Sequence, residues 1–391
     1  MSAGDRDLLR GAVREMLRGV SPPAEVRRRM DTVLGWDGGT WRRLCGELGV
    51  AGLAVPEEYG GQGYTHAELG VVFEEAGRAL LCAPLLSTAA LAIPLLLALD
   101  DEDARRRHLP DLCAGARTAA VVTSDPDGRP LPSGNLVEAA GGGNGHLLHG
   151  TAGFVVDGAS ADLVLVPART DGDDGGGDGD GGGVAVFAVE AGAPGFTATP
   201  LVTLDPTRKQ AELRFEGTPA RRIGPPDASA AYARALDVGR ALLAAEQAGG
   251  AAACLDAVVG HAGTRVQFGR PIGSFQAVKQ RAAEMLIRVE SARSAAQAAA
   301  QAAAEAVAGH GTDAGDLRDL PDLDVTAAVA QAYCSDAFVR VAAETIQLHG
   351  GIGFTWEHDA HLYYKRAWTS GELLGRPEEH LENLARHLER R

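Results

Sequence analysis

The sequence predicts an α+β fold in three consecutive parts: a helical domain over residues 1–115, an antiparallel β domain over 116–225 and a helical bundle over 226–391. Three observations lead to this reading. Apolar residues recur at helical spacing near the start, short β-prone runs replace them in the middle, and long alanine-rich runs fill the last third.

In the first part, Leu8, Leu9, Val13 and Leu17 fall at helical spacing, as do Leu69, Val72, Phe73, Ala76 and Leu80. Between them "VPEEYGGQG" (Val55 to Gly63) is a turn-rich loop. The run "LLSTAALAIPLLLAL" is too short and too broken by proline to span a bilayer, and reads as a buried helix pair. The middle part holds "TAAVVTS", "HLLHGTAGFVV", "LVLVPAR", "VAVFAVE" and "AELRFEG", spaced as antiparallel strands are. "DGDDGGGDGDGGG" (Asp171 to Gly183) can bury nothing and reads as a solvated hairpin loop; it lacks the apolar residue of a calcium-binding β-roll repeat. In the last part, helices running from Arg240, Ser274 and Asp324 are rich in alanine, so they can pack closely.

At 391 residues, with 45% hydrophobic and 23% charged content, the chain reads as an ordinary soluble protein. Its formal net charge of −15 argues against nucleic acid or an anionic membrane as partner. Nearly all its cations are arginine, which reads as coding bias. The five cysteines include no C-x-x-C pair, which speaks against disulfides or zinc and for a reducing, cytoplasmic setting. The N-terminus carries acids and no apolar stretch of a signal peptide.

Phosphate loops, dinucleotide fingerprints and the common hydrolase motifs are absent. His349, His358 and His361 have no metal-site spacing and read as local hydrogen-bonding groups. Two stretches remain. In "TRVQFGRPIGSFQ" (Thr264 to Gln276) a helix stops, turns and restarts behind a Ser274 cap, with Arg265 and Arg270 flanking Phe268. Arginine there can clamp a phosphate and phenylalanine can stack on a planar ring; by spacing alone the same residues also suit a plain interhelical turn. In "IQLHGGIGFTW" (Ile346 to Trp356) a helix ends on bare glycine backbone, which serves either a sharp turn or close approach of a ligand.

With "GVAGLAVPEEYGGQG" (Gly49 to Gly63), "TRVQFGRPIGSFQAVKQRAAEM" (Thr264 to Met285) and "IQLHGGIGFTWEHDAHLYYKRA" (Ile346 to Ala367), nearly the whole chain resembles the acyl-CoA dehydrogenase family. The resemblance implies a four-helix bundle at the C-terminus and an FAD-dependent oxidoreductase of lipid metabolism. It would remove two hydrogens from Cα and Cβ of an acyl-CoA or related thioester and pass electrons to an electron-transfer flavoprotein. It further implies that Gln347, Gly350 and Gly351 face the adenosine diphosphate part of FAD from a neighbouring subunit. Arg265 would pair with the pyrophosphate, and Phe268 and Gln276 would line the adenine and ribityl region. In the β domain, Ser124 and Val156 take flavin-side positions. Val156 stands where the family carries a hydroxyl, so that ring contact falls to the backbone or is lost, and FAD is expected to bind weakly.

The family's catalytic glutamate has no counterpart. Its usual place falls on Leu374, and the minority place, 29 residues before Phe268, falls on Gly239. Glu246 lies two helical turns beyond Gly239, ~10 Å along the axis at ~1.5 Å per residue. As the one acid of an apolar stretch it reads either as a catalytic base or as half of a buried ion pair. Glu372, two residues before Leu374, reads as a base that swings in or as a surface cap. The ending "WEHDAHLYYKRA" resembles actinobacterial members that assemble as α2β2 pairs on bulky acyl chains, so the chain is expected to be one subunit of such a heteromer, with a homotetramer as the alternative assembly. A partner subunit without chemistry of its own, or a biosynthetic enzyme acting on a carrier-bound acyl group without net redox chemistry, are the other readings.

Overall fold

A computed structural model describes residues 1–134, 137–142, 145–170, 184–308 and 323–389. The loop expected at 171–183 lies outside the described residues. Helices come first: α1 (Ala3–Val20), α2 (Pro23–Met30), α3 (Gly38–Leu48), α4 (His66–Arg78), α5 (Ile93–Ala98) and α6 (Glu102–Cys113). Strands follow: β1 (Ala119–Val121), β2 (Val137–Gly142), β3 (Gly145–Val156), β4 (Leu163–Thr170), β5 (Val184–Glu190), β6 (Phe196–Pro200) and β7 (Gln210–Ile223). Then come α7 (Ser229–Thr264), the paired residues of β8 (Val266–Gln267) and β9 (Arg270–Pro271), α8 (Gln276–Ala308), α9 (Leu323–His349), α10 (Ala360–Glu372) and α11 (Pro377–Glu389). This is the helix–strand–helix order expected from the sequence.

The chain divides into two compact units that are not consecutive in sequence. One comprises Met1–Arg28, His66–Leu81 and Arg240–Arg391. Here α1 starts from a capping box in which Ser2 and Asp5 satisfy each other's backbone N–H groups. Arginines four residues apart on α1 then meet carboxylates of α4: Arg6 to Glu68 at 2.8 Å, Arg10 to Glu74 at 2.7 Å and Arg14 to Glu75 at 2.7 Å. Arg293 of α8 also reaches Glu74, at 3.0 Å. These carboxylates are nearly buried, so the arginines that composition alone assigns to coding bias here clamp helices together.

Glycine sets how closely α4 and α7 cross. A methyl group on Gly77 would strike the Glu246 carbonyl, and one on Gly249 would strike the Glu74 carbonyl. The two contacts are reciprocal, so each helix rests on the other's bare backbone. Below the crossing lies a core of Ala251, Cys254, Val258, Met285, Val289, Phe338 and Val341. Gly250 leaves room for the Phe338 ring. By length and composition α7 could also cross a membrane, but 78% of its apolar window is buried inside the fold.

The second unit comprises Arg29–Thr65 and Cys82–Gly239. Its strand pairings run β4–β2–β3–β7–β5 and return to β4, so the sheet closes on itself. Two pairings are parallel, β1 with β4 and β2 with β4, which corrects the expectation of a wholly antiparallel domain. The cause is the link 157–162. It carries the chain away from β3, whose partners are β2 and β7, to the free edge of β2. The apolar run before α6 is also corrected. Leu86–Ala92 is π-helical and passes straight into α5, giving one buried helical run in place of a pair. All five cysteines are buried, and none is in a disulfide.

Candidate functional site

The tip of the bundle gathers most of the residues singled out from sequence. The α7 helix ends with the Arg265 N–H on the His261 carbonyl at 2.8 Å. The chain then forms a two-residue hairpin in which Val266 pairs with Pro271 and Gln267 with Arg270. Phe268 (φ 52°) and Gly269 (φ 77°) sit at its turn, both left-handed, the combination that a tight hairpin requires. The Phe268 side chain is 91% exposed, and its ring meets Phe275 edge-on at 6.1 Å. Arg270 covers the other ring, 4.0 Å from the Phe275 centroid. Ser274 is not the cap expected of it: α8 starts at Gln276, and the Phe275 carbonyl takes the first N–H groups. Arg265 and Gln276 are both exposed.

The second segment is the end of α9. Gly350 (φ 65°) stops the helix, and Gly350–Phe354 continues as a 3-10 turn. The three glycines differ in purpose. A methyl on Gly353 would lie 2.7 Å from the Ile346 carbonyl, so that glycine is needed for packing. Gly350 and Gly351 are exposed, and a methyl on either would meet no protein atom within 4 Å. Gln347 is exposed on the last turn of α9. The tip is also rich in uncovered apolar groups, with Phe354 87% and Trp356 67% exposed. Bare backbone, an arginine and exposed rings suit an anion carrying a flat group. Because Gly350 and Gly351 stand at the carboxyl end of α9, the helix dipole does not help an anion there. Positive charge at the tip is carried by the exposed side chains of Arg265 and Arg270.

Glu246 lies elsewhere in the same unit. Arg366 of α10 donates to its Oε1 at 2.8 Å, and the two side chains are 7% and 4% exposed. Next along α7, Gln247 donates to the Ser335 hydroxyl at 2.9 Å. In the other unit, Ser124 donates its hydroxyl to the Gly153 carbonyl at 2.7 Å. Val156 pairs with Gln210 at the end of β3 and is 5% exposed. Between them, at a break in the β3–β7 register, Phe154 (φ 52°) is 42% exposed. Asp157 (φ 56°) is buried and accepts from the Ser87 hydroxyl at 2.7 Å.

Two family models match the chain: Acyl-CoA dehydrogenase, N-terminal domain, over residues 4–116, and Acyl-CoA dehydrogenase, C-terminal domain, over residues 230–389. It is also 37% identical to the acyl-CoA dehydrogenase IpdE2 of Mycobacterium tuberculosis over 380 residues, 97% of this chain and 96% of that one. The chain belongs to the acyl-CoA dehydrogenase family.

Solved structures share the fold. The ChsE4–ChsE5 complex from Mycobacterium tuberculosis is similar at TM-score 0.85 and 29% identity, covering 99% of this chain and 98% of that one. Butyryl-CoA dehydrogenase from Megasphaera elsdenii follows at TM-score 0.83 and 25% identity, covering 97% and 98%.

Against other acyl-CoA dehydrogenases, the turn after α10 is the informative part. Leu374, at the position where the resemblance seats the base, takes a left-handed backbone (φ 60°) with its side chain 8% exposed. Arg240, the residue after Gly239, donates from Nε to the Leu374 carbonyl at 2.9 Å. Gln331 approaches the Ser370 and Leu373 carbonyls at 3.4 Å each. The buried His380 lies under Gly375, where an added methyl would sit 3.0 Å from its ring. Burial, with Arg240 nearby, pushes His380 down to about 4. Glu372 is turned outward and pairs with Arg376 at 2.7 Å. Arg240, Gln331, Arg366 and His380 escaped the sequence reading because each belongs to a different element from the turn or carboxylate it holds. An isolated arginine or glutamine inside an apolar helix was the available signal.

Proposed function

We propose that this chain is one subunit of a heteromeric FAD-dependent acyl-CoA dehydrogenase, giving that enzyme a flavin-nucleotide cradle but no proton-abstracting carboxylate. The observation behind this reading is the turn at Leu374. An apolar residue stands at the position where the resemblance seats the base, and the backbone there is tied to Arg240 and Gln331. Glu246 is engaged by Arg366, and Glu372 by Arg376. We assign both to structure.

The residues at the tip fit the diphosphate of FAD, because open space faces Gly350 and Gly351 and Arg265 is exposed. FAD, when bound, supplies the acceptor for the hydride that leaves Cβ of the acyl thioester. Arg265 pairs with the diphosphate, Gly350 and Gly351 let it approach the main chain, and Phe268 and Gln276 border the remainder. In the β domain Ser124 and Val156 stand at the flavin-side positions, with no Val156 hydroxyl to bond the ring. The α-proton goes to a carboxylate of the partner chain. The ChsE4–ChsE5 structure is itself a complex of two chains, which supports the heteromeric reading.

Purification alone and with a co-expressed homologous chain tests this. The lone chain is expected to be almost colourless and inactive, and the pair to be yellow and to reduce an artificial acceptor with acyl-CoA. A homotetramer with one FAD per chain and full turnover contradicts it.

A further inference from the structure

His349 is sandwiched between two other imidazoles. Its ring centroid lies 4.5 Å from that of His261 and 4.3 Å from that of His358. The His349 side chain is buried, and its Nδ1 donates to the Thr345 carbonyl at 2.7 Å. His358 Nδ1 accepts the Ala360 N–H at 3.1 Å in the first turn of α10, which requires an unprotonated nitrogen there. His261 carries the carbonyl that holds the Arg265 N–H, and His349 directly precedes Gly350. The stack thus joins the two segments that face the cofactor. No metal-binding cluster occurs among the described residues, so the trio is not a ligand set.

We propose that His349 is a positioning residue, a brace that holds Arg265 and the Gly350–Gly351 backbone at the separation a dinucleotide diphosphate needs. This rests on the flavin reading above. A row of three imidazoles makes the brace sensitive to acid. Arg265 faces His261 from the end of α7; Arg27 of α2 and Asp359 face His358. Burial and then the neighbouring His349 hold both outer rings below the usual histidine range. At neutral pH the outer rings are uncharged; on acidification each gains charge against the His349 ring, and the His358–Ala360 bond is lost.

The test is hydrogen exchange of the full chain without added FAD, at about pH 7.5 and 5.5 and corrected for intrinsic rates, followed by FAD affinity of the chain with its partner. In His349→Ala, segments 265–271 and 350–356 are both expected to exchange about tenfold faster, with FAD affinity falling about tenfold. His349→Phe keeps a flat ring between the outer imidazoles and is expected to restore protection of both segments. If His349→Ala leaves exchange unchanged, or only 350–356 responds, the brace is overturned. Should His349→Ala fail to fold, His261→Ala decides in its place: exchange of 265–271 is expected to quicken, and unchanged exchange there overturns the brace. Coupled exchange with no FAD binding supports the brace and overturns only the flavin reading.

Discussion

Arg240 Nε donates to the main-chain carbonyl of Leu374 at 2.9 Å, so the residue after Gly239 holds the turn on which the resemblance places the usual base position. The bond crosses from α7 to the turn after α10, and it fixes a leucine in a left-handed conformation that costs about 1–2 kcal/mol for a residue with a β-carbon. Replacing Leu374 by Ala and by Gly separates strain from packing. Both lose the buried side chain, at about 2–3 kcal/mol. Leu374→Gly also relieves the backbone, so it is expected to be more stable than Leu374→Ala by about 1 kcal/mol in urea unfolding, the reverse of the usual order. Equal stabilities would show that the turn relaxes once the leucine is gone.

Glu246 and Arg366 form a buried pair, and removing one partner takes this ion pair from a charge that stays buried. Glu246→Gln is expected to cost about 3 kcal/mol, read as a lowered unfolding midpoint. Turnover of the assembled pair, measured per folded protein, is expected to stay within about twofold, since the assigned role is structural. A loss of flavin reduction by several orders of magnitude at unchanged stability would return Glu246 to the reacting atoms.

The crossing of α4 and α7 allows no side chain at Gly77 or Gly249. Gly249→Ala is expected to destabilise by more than about 3 kcal/mol, because the methyl meets the Glu74 main chain, which cannot rotate away. Gly260→Ala on the same helix, where an added methyl meets nothing, is the control and is expected to be neutral or slightly stabilising.

Stability should fall on acidification earlier than carboxylate titration alone explains. Burial holds His66 and His380 down to about 4 in the folded chain, whereas unfolded histidine titrates near 6.5. Below pH ~6.5 the unfolded chain therefore binds protons that the folded chain refuses. Each histidine contributes stability that is complete above that point and shrinks as pH falls towards 4, by on the order of 2–3 kcal/mol across the window. Urea midpoints between about pH 7 and 5 check this, and His66→Gln is expected to flatten the slope. A wild-type midpoint constant over that range would contradict it.

The order of helices and strands was legible because apolar period and alanine content report local structure, and the tip was legible because Gly350 has a backbone only glycine adopts easily. The placing of the family's base positions on Leu374 and Gly239 rests on resemblance alone. The fate of Glu246 was not legible, since an acid in an apolar stretch reads the same whether it ends as a base or a pair. Arg366, which settles its contact, is 120 residues away. The parallel strand pairings were hidden for a similar reason: direction depends on where the link 157–162 crosses, and no strand's own residues encode that.

The cradle at the end of α9 is tested most directly by Gly351→Ala. An added methyl there meets no protein atom and the backbone is not left-handed, so thermal stability is expected to change by less than about 0.5 kcal/mol. The same methyl fills the space assigned to the FAD diphosphate. Flavin content of the purified pair, read from its visible absorbance, is expected to fall at least about tenfold, an effect of roughly 1.4 kcal/mol or more. A Gly351→Ala pair that remains fully yellow, with wild-type melting, would contradict the cradle.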